Sequence, residues 1–183
     1  MNRVTAVLTR RAIVSVLGGF ALVAARPTAG VAQRRGAAQS SAVDENAKVE
    51  NEALIGTWKL NLAKSKYTPG PAPKSGTLTY KAEGARVKRT AEGTDAEGKA
   101  TKTEWMHYYD GSIFPQPGSP DFDAGTYKLV NATTVNFSRL KSGKQVQTGS
   151  IEVSNDGKTL TVTTKGVNIK GQQINNVAVY DKQ

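Results

Sequence analysis

The strongest constraint on the fold of this chain is its punctuation. From Leu54 onward, short runs rich in Thr, Val, Tyr and Leu alternate with glycine-bearing turns. β-Branched and aromatic residues suit a pleated surface, and glycine supplies the positive φ angles that tight turns need. The pattern predicts strands at 54–62, 77–83, 86–92, 100–109, 126–130, 134–141, 145–153, 159–165 and 173–180, about nine in all. Asn155-Asp156-Gly157-Lys158 is the clearest hairpin signal, and Gly84 and Asp95-Ala96-Glu97-Gly98 mark two further turns. Two proline-rich stretches, 67–73 and 114–125, interrupt the series and read as loops. Sequential hairpins without long returns favour a closed meander over a Greek-key sandwich. The expected fold is all-β, a single antiparallel up-and-down barrel of about eight to ten strands.

The N-terminus reads differently. Arg3, Arg10 and Arg11 precede an apolar run at 12–25, and small residues follow to Gly30-Val31-Ala32. This is the layout of a cleaved export signal, 1–32, and Arg10-Arg11 also fits the twin-arginine variant. The apolar run is short for a bilayer span and no second one follows, so no transmembrane anchor is expected after cleavage. Residues 33–52, rich in Ala, Gln, Ser, Arg and Glu, read as a flexible linker, with one short helical turn at 47–54 plugging the end of the barrel. The barrel domain is placed at 53–183, and the location is periplasmic or secreted.

Charge and composition remove several function classes. The chain of 183 residues carries 25 Lys and Arg against 15 Asp and Glu, a net +10. Four of those arginines lie in 1–32, which has no acid, so the remainder carries a surplus of +6. Its lysines are scattered singly among Thr and acids, without the basic run interleaved with aromatics that nucleic acid requires. There is no cysteine, which excludes disulfides, a thiolate nucleophile and a zinc–thiolate centre. One histidine, His107, cannot build a multi-imidazole metal site; it could be at most a single axial ligand, and a hydrogen-bonded role near a strand end is plainer. No metal and no cofactor is expected. Asp110, Asp121 and Asp123 gather near one loop, where turn capping explains them better than a glycosidase dyad or calcium loop. No Gly-x-Ser-x-Gly elbow presents a serine, so the chain does not read as an enzyme.

Leu54-Ile55-Gly56-Thr57-Trp58-Lys59-Leu60 resembles the Gly-x-Trp opening strand of the calycin superfamily, and most closely that of the fatty-acid-binding proteins. Residues 156–166, DGKTLTVTTKG, and the ending Val177-Ala178-Val179-Tyr180 are similar to the last hairpin of such barrels and to small secreted bacterial lipocalin-like proteins. The resemblance implies a Trp packed across the closed end of a barrel and a small ligand inside. Two departures stand out. The proline-rich stretch cannot form the two portal helices of fatty-acid carriers. Ala178 stands where their Arg-x-Tyr pair has its arginine.

Strand parity then selects residues, because alternate side chains share a face. Val87 shares a face with Arg89, Trp105 with His107 and Tyr109, and Phe137 with Arg139. If those faces are interior, Arg89, Trp105, His107, Tyr109, Phe137 and Arg139 form a ligand-binding set. Guanidinium groups in an apolar pocket would suit an anionic head group. The arginines could instead snorkel to solvent, or pair with acids such as Glu92 or Glu104. The function expected is an exported binding module for a small, partly apolar, anionic molecule, the partner being a hydrophobic or amphipathic ligand. The alternative is a non-catalytic envelope protein contacting other proteins through loops 67–73 and 114–120. Oligomeric state is left open.

Overall fold

The computed structural model describes residues 51–183; the expected signal segment and the linker as far as residue 50 lie outside them. Ten strands form one antiparallel sheet: β1 Gly56–Leu60, β2 Ser75–Glu83, β3 Arg86–Thr94, β4 Ala100–His107, β5 Asp110–Pro115, β6 Ala124–Asn131, β7 Thr134–Lys141, β8 Lys144–Val153, β9 Thr159–Val167 and β10 Gln173–Lys182. Each pairs with its neighbours in sequence, except that β1 pairs with β10 and β4 does not ladder to β5. The result is an up-and-down antiparallel meander, closed by hydrogen bonds everywhere but along one seam. Rings bridge that seam: His107 of β4 stacks on Phe114 of β5 at 5.3 Å.

One strand was not foreseen. The stretch read as a loop from 114 is preceded and entered by β5, which pairs only with β6 and with a register shift between Asp110 and Ile113. Such an irregular edge tolerates Gly111 and the terminal Pro115, because a proline there removes no ladder bond. The rest of that stretch, 116–123, is irregular as expected. Strand β4 also stops at His107 rather than at 109.

The two ends of the barrel differ. At one end the segment before β1 forms a 3₁₀ turn, Glu52–Leu54, capped by the Asn51 side chain. Asn51 and Leu54 are each 1% exposed, so the folded unit includes two residues assigned to the linker. Gly56, at φ +138°, bends the chain into β1. Trp58 is fully buried there and donates its indole N–H to the Leu54 carbonyl at 2.9 Å. This end is shut by the Gly-x-Trp strand, as the resemblance implied.

At the other end the first proline-rich connector replaces portal helices. After a 3₁₀ turn at Leu62–Lys64 the chain returns to the edge of β10, where Lys66 and Val177 exchange backbone hydrogen bonds at 2.7 and 2.8 Å. Asn175 then donates to the Thr68 carbonyl at 3.0 Å. From there 69–74 crosses to β2. The second irregular connector, 116–123, is tethered by its aspartates: Asp121 accepts from the Ile169 amide at 2.9 Å, and Asp123 from the Ser142 amide at 3.0 Å. Both act on turns, the role expected of loop aspartates.

Candidate functional site

Parity sets the chemistry of the interior. The inward positions of β2, β3, β4, β6 and β7 supply Leu78, Tyr80, Val87, Arg89, Trp105, His107, Tyr127, Val135 and Phe137, all buried. Arg139 follows Phe137 on the same face and is half-buried. Five residues of the expected set therefore point inward, and the sixth, Tyr109, lies just past β4 and is buried against His107; the six divide into two groups.

The first group packs the half of the barrel nearer the closed end. His107 lies 4.2 Å from Tyr127, 5.2 Å from Tyr109 and 5.3 Å from Phe114, centroid to centroid. Neither imidazole nitrogen has a hydrogen-bond partner, so the histidine is held by rings rather than by the hydrogen bond expected near a strand end. Burial, with a smaller contribution from Arg89, pushes its pKa down to about 3. It is a neutral ring in a ring stack. Burial likewise pushes the Tyr109 hydroxyl well above the usual phenol range. Neither residue lines the cavity described next, and nor does Trp105.

Above that stack lies a cavity of about 290 Å³. Tyr127 forms its floor, Leu78, Phe137, Ile151 and Val162 are among its apolar walls, and Tyr67 and Pro73 of the proline-rich connector reach its mouth. Arg89, Arg139 and Phe137 represent the expected set here. Sequence reasoning missed Tyr80, Gln147, Thr164 and Asn176, which also face it. The β8, β9 and β10 parities could have revealed the last three, since Gln147 aligns with Ile151 and Val153, Thr164 with Leu160, and Asn176 with Tyr180.

The charged side chains lining this cavity are Arg89, Arg139 and Asp121, the last held by the Ile169 amide. Arg89 is 9% exposed, with its Cζ 4.4 Å from the centre of the Trp105 ring. Arg139 lies between Phe122 and Phe137, at 4.5 and 4.8 Å, and donates from Nη1 to Gln147 Oε1 at 2.9 Å. Gln147 is fixed in turn by donating to the Val167 carbonyl at 3.2 Å. Among the described residues neither arginine forms an ion pair. The two acids considered as partners are occupied on the outer face, Glu92 by Lys102 at 2.7 Å and Glu104 by Lys88 at 2.9 Å. Snorkelling does not describe Arg89 either, because its Nη1 is buried and unpartnered.

The surrounding groups respond to these charges. Burial pushes the Tyr80 phenol up to about 12, although Arg89 beside it pulls the other way. The Tyr80 hydroxyl makes no hydrogen bond of good geometry. Burial also raises Tyr180 to about 12. Arg139 is shifted down by burial and by repulsion from Arg89, with the phenols opposing. Burial disfavours the charge of Arg89 too, but Tyr80 and Tyr127 outweigh it and the group is shifted up. Ala178 and Tyr180 both face the cavity, so positive charge comes from β3 and β7 rather than from β10.

The connectors that the surface-contact alternative relied on are partly turned inward. Tyr67 and Pro73 line the cavity, and Phe114 and Gln116 are buried. Among the described residues no cluster of His, Cys, Asp and Glu could hold a metal ion, and no helix is long and apolar enough to cross a membrane.

No family model and no curated protein matches the chain. Solved structures do. A zebrafish ileal bile acid-binding protein complexed with cholic acid is 14% identical, with a TM-score of 0.46 over 72% of this chain and 99% of that one. As-p18, an extracellular fatty acid binding protein, is 15% identical, with a TM-score of 0.47 over 74% of this chain and all of that one. A redesigned β-barrel is 12% identical, with a TM-score of 0.44 over 75% and 98%. These likenesses are distant, and the reading of the site rests on its own geometry.

Proposed function

We propose that the chain is a binding protein, not an enzyme, and that it holds a small, partly apolar anion inside its barrel. The observation that carries this reading is a pair of inward arginines that form no ion pair among the described residues, at a cavity lined by aromatic, aliphatic and neutral polar side chains and by one carboxylate, Asp121, which accepts from the Ile169 amide. A charged group taken out of water costs several kcal/mol unless something compensates it, and cation–π contacts return only about 0.5–2 kcal/mol each. An anionic ligand supplies the missing compensation. Arg89 and Arg139 would anchor it, with Tyr80 and Gln147 adding polar contacts. Trp105 would act indirectly by stacking on Arg89, while His107 and Tyr109 build the floor from below.

The basic, apolar and small-residue order of 1–32 supports export by a cleaved signal and, with it, a role in the periplasm or outside the cell. Native mass spectrometry of protein purified from its own organism tests the main reading. A small molecule should travel with the folded protein and leave on denaturation, and Arg89→Ala should abolish the adduct. Protein that never retains a molecule, or an adduct indifferent to Arg89 and Arg139, would overturn it. The mass of the purified chain tests cleavage, which removes about 30 residues if the signal reading is right.

A further inference from the structure

The shape of the cavity narrows the class of ligand. An elongated chain needs a channel along the barrel axis, whereas Tyr127, which lines the cavity, packs on the buried rings of His107 and Phe114. Tyr109 meets His107 edge to face, and all four rings are buried. Trp58 and Leu54 seal the end beyond. The connector bearing Tyr67 and Pro73 lies at the mouth. The 290 Å³ that remain equal the liquid volume of about ten water molecules, at the lower limit of common ligand pockets.

The guanidinium geometry narrows the head group. Phe122 and Phe137 both lie against the Arg139 guanidinium, and Trp105 lies against that of Arg89. Stacked guanidiniums present their in-plane N–H edges, and a carboxylate meets such an edge with two coplanar oxygens. Unpartnered donors remain at Arg89 Nη1 and Arg139 Nε. The walls that a ligand body would touch include the rings of Tyr80, Tyr127, Phe137 and Tyr180.

Building on the interior-binding reading, we propose that the ligand is a compact ring-bearing carboxylate of one or two fused rings, and not a long-chain fatty acid. Its carboxylate sits against the exposed edges of Arg89 and Arg139, and its rings lie on the tyrosine-lined wall above Tyr127.

Isothermal titration of the unliganded protein with 2-naphthoate, 2-naphthamide and hexadecanoate tests this. 2-Naphthoate should bind at least about ten-fold more tightly than either of the others, since a site built to pair a charged head rejects its neutral counterpart. Arg139→Lys keeps the charge but loses the in-plane fork, and should weaken 2-naphthoate about ten-fold while leaving 2-naphthamide unchanged. The ligand comparison is made on the wild-type protein, so it stands even if a variant misfolds. Hexadecanoate binding as tightly as 2-naphthoate would overturn the compact class and leave an interior carboxylate site standing. Equal binding of the acid and the amide would overturn the carboxylate assignment. If none of the three binds, the interior-binding reading falls, and this proposal with it.

Discussion

Between pH 7 and pH 5, acid should destabilise this protein mainly through one residue, and the size of the effect follows from where that residue sits. His107 is the only histidine in the chain and is 1% exposed among Tyr109, Phe114 and Tyr127. Its pKa is about 3 in the folded protein, against about 6.5 in an unfolded chain. The unfolded state therefore takes up the proton more readily. The stabilising effect of keeping the ring neutral is complete above pH 6.5 and is lost as pH falls toward 3. Each unit of pH well inside that window costs about 1.4 kcal/mol, so the fall from pH 7 to pH 5 amounts to about 2 kcal/mol. Ordinary carboxylates titrate near 4, mostly below this interval. Asp110, Asp156 and Asp181, whose carboxyls are held low by hydrogen bonds from Ser112, Ser154 and Asn61 respectively, lose their contribution lower still. Urea denaturation at pH 7, 6 and 5 measures the effect. His107→Phe keeps a ring in the stack, and its stability should change little across the same range. A wild type as stable at pH 5 as at pH 7, or a variant with the same slope, would refute the assignment, as would an imidazole titrating near 6.5 in the folded protein by NMR.

Three other substitutions probe the frame around the cavity. Trp58→Phe leaves the Leu54 carbonyl without its 2.9 Å donor and opens space at the closed end, so urea unfolding should show a loss of about 2–4 kcal/mol. Gly149→Ala places a methyl against the Thr163 carbonyl oxygen and 2.5 Å from Phe137 Cζ; the expected cost is about 1–3 kcal/mol, read as a lower urea midpoint with an unchanged slope. Asp121→Ala removes the acceptor of the Ile169 amide, and exchange of that amide should quicken about five-fold while strand amides of β8 and β9 keep their rates.

The legibility of the sequence varied with the range of the interaction involved. Hairpins such as Asp156-Gly157 were readable because a turn and its two flanking strands lie in one short stretch, and alternation fixes which side chains share a face. The inward direction of Arg89 and Arg139 followed from Val87 and Phe137 for that reason. Strand β5 escaped because it is a short edge strand with a register shift, its glycine and prolines tolerated where few ladder bonds exist. The contents of the site were harder still. Trp105 and Arg89 are separated by 16 positions in sequence but face each other across the β3–β4 pair, and the Arg89↔Trp105 register is what brings ring over guanidinium.

By itself, then, the sequence determined the strand series, the turns and the choice of faces, all consequences of local backbone chemistry and a period of two. It also determined that Gly56-Thr57-Trp58 opens the first strand. Only the tertiary structure decided that a cluster of rings fills part of the barrel and that a cavity of about 290 Å³ remains beside it. It also decided that His107 belongs to the filled part, that Glu92 and Glu104 are occupied by lysines on the outer face, and that Arg89 and Arg139 face the same cavity without forming an ion pair among the described residues. Those outcomes depend on curvature and on register summed around ten strands, which set the distance between residues far apart in the chain. No local pattern encodes that sum.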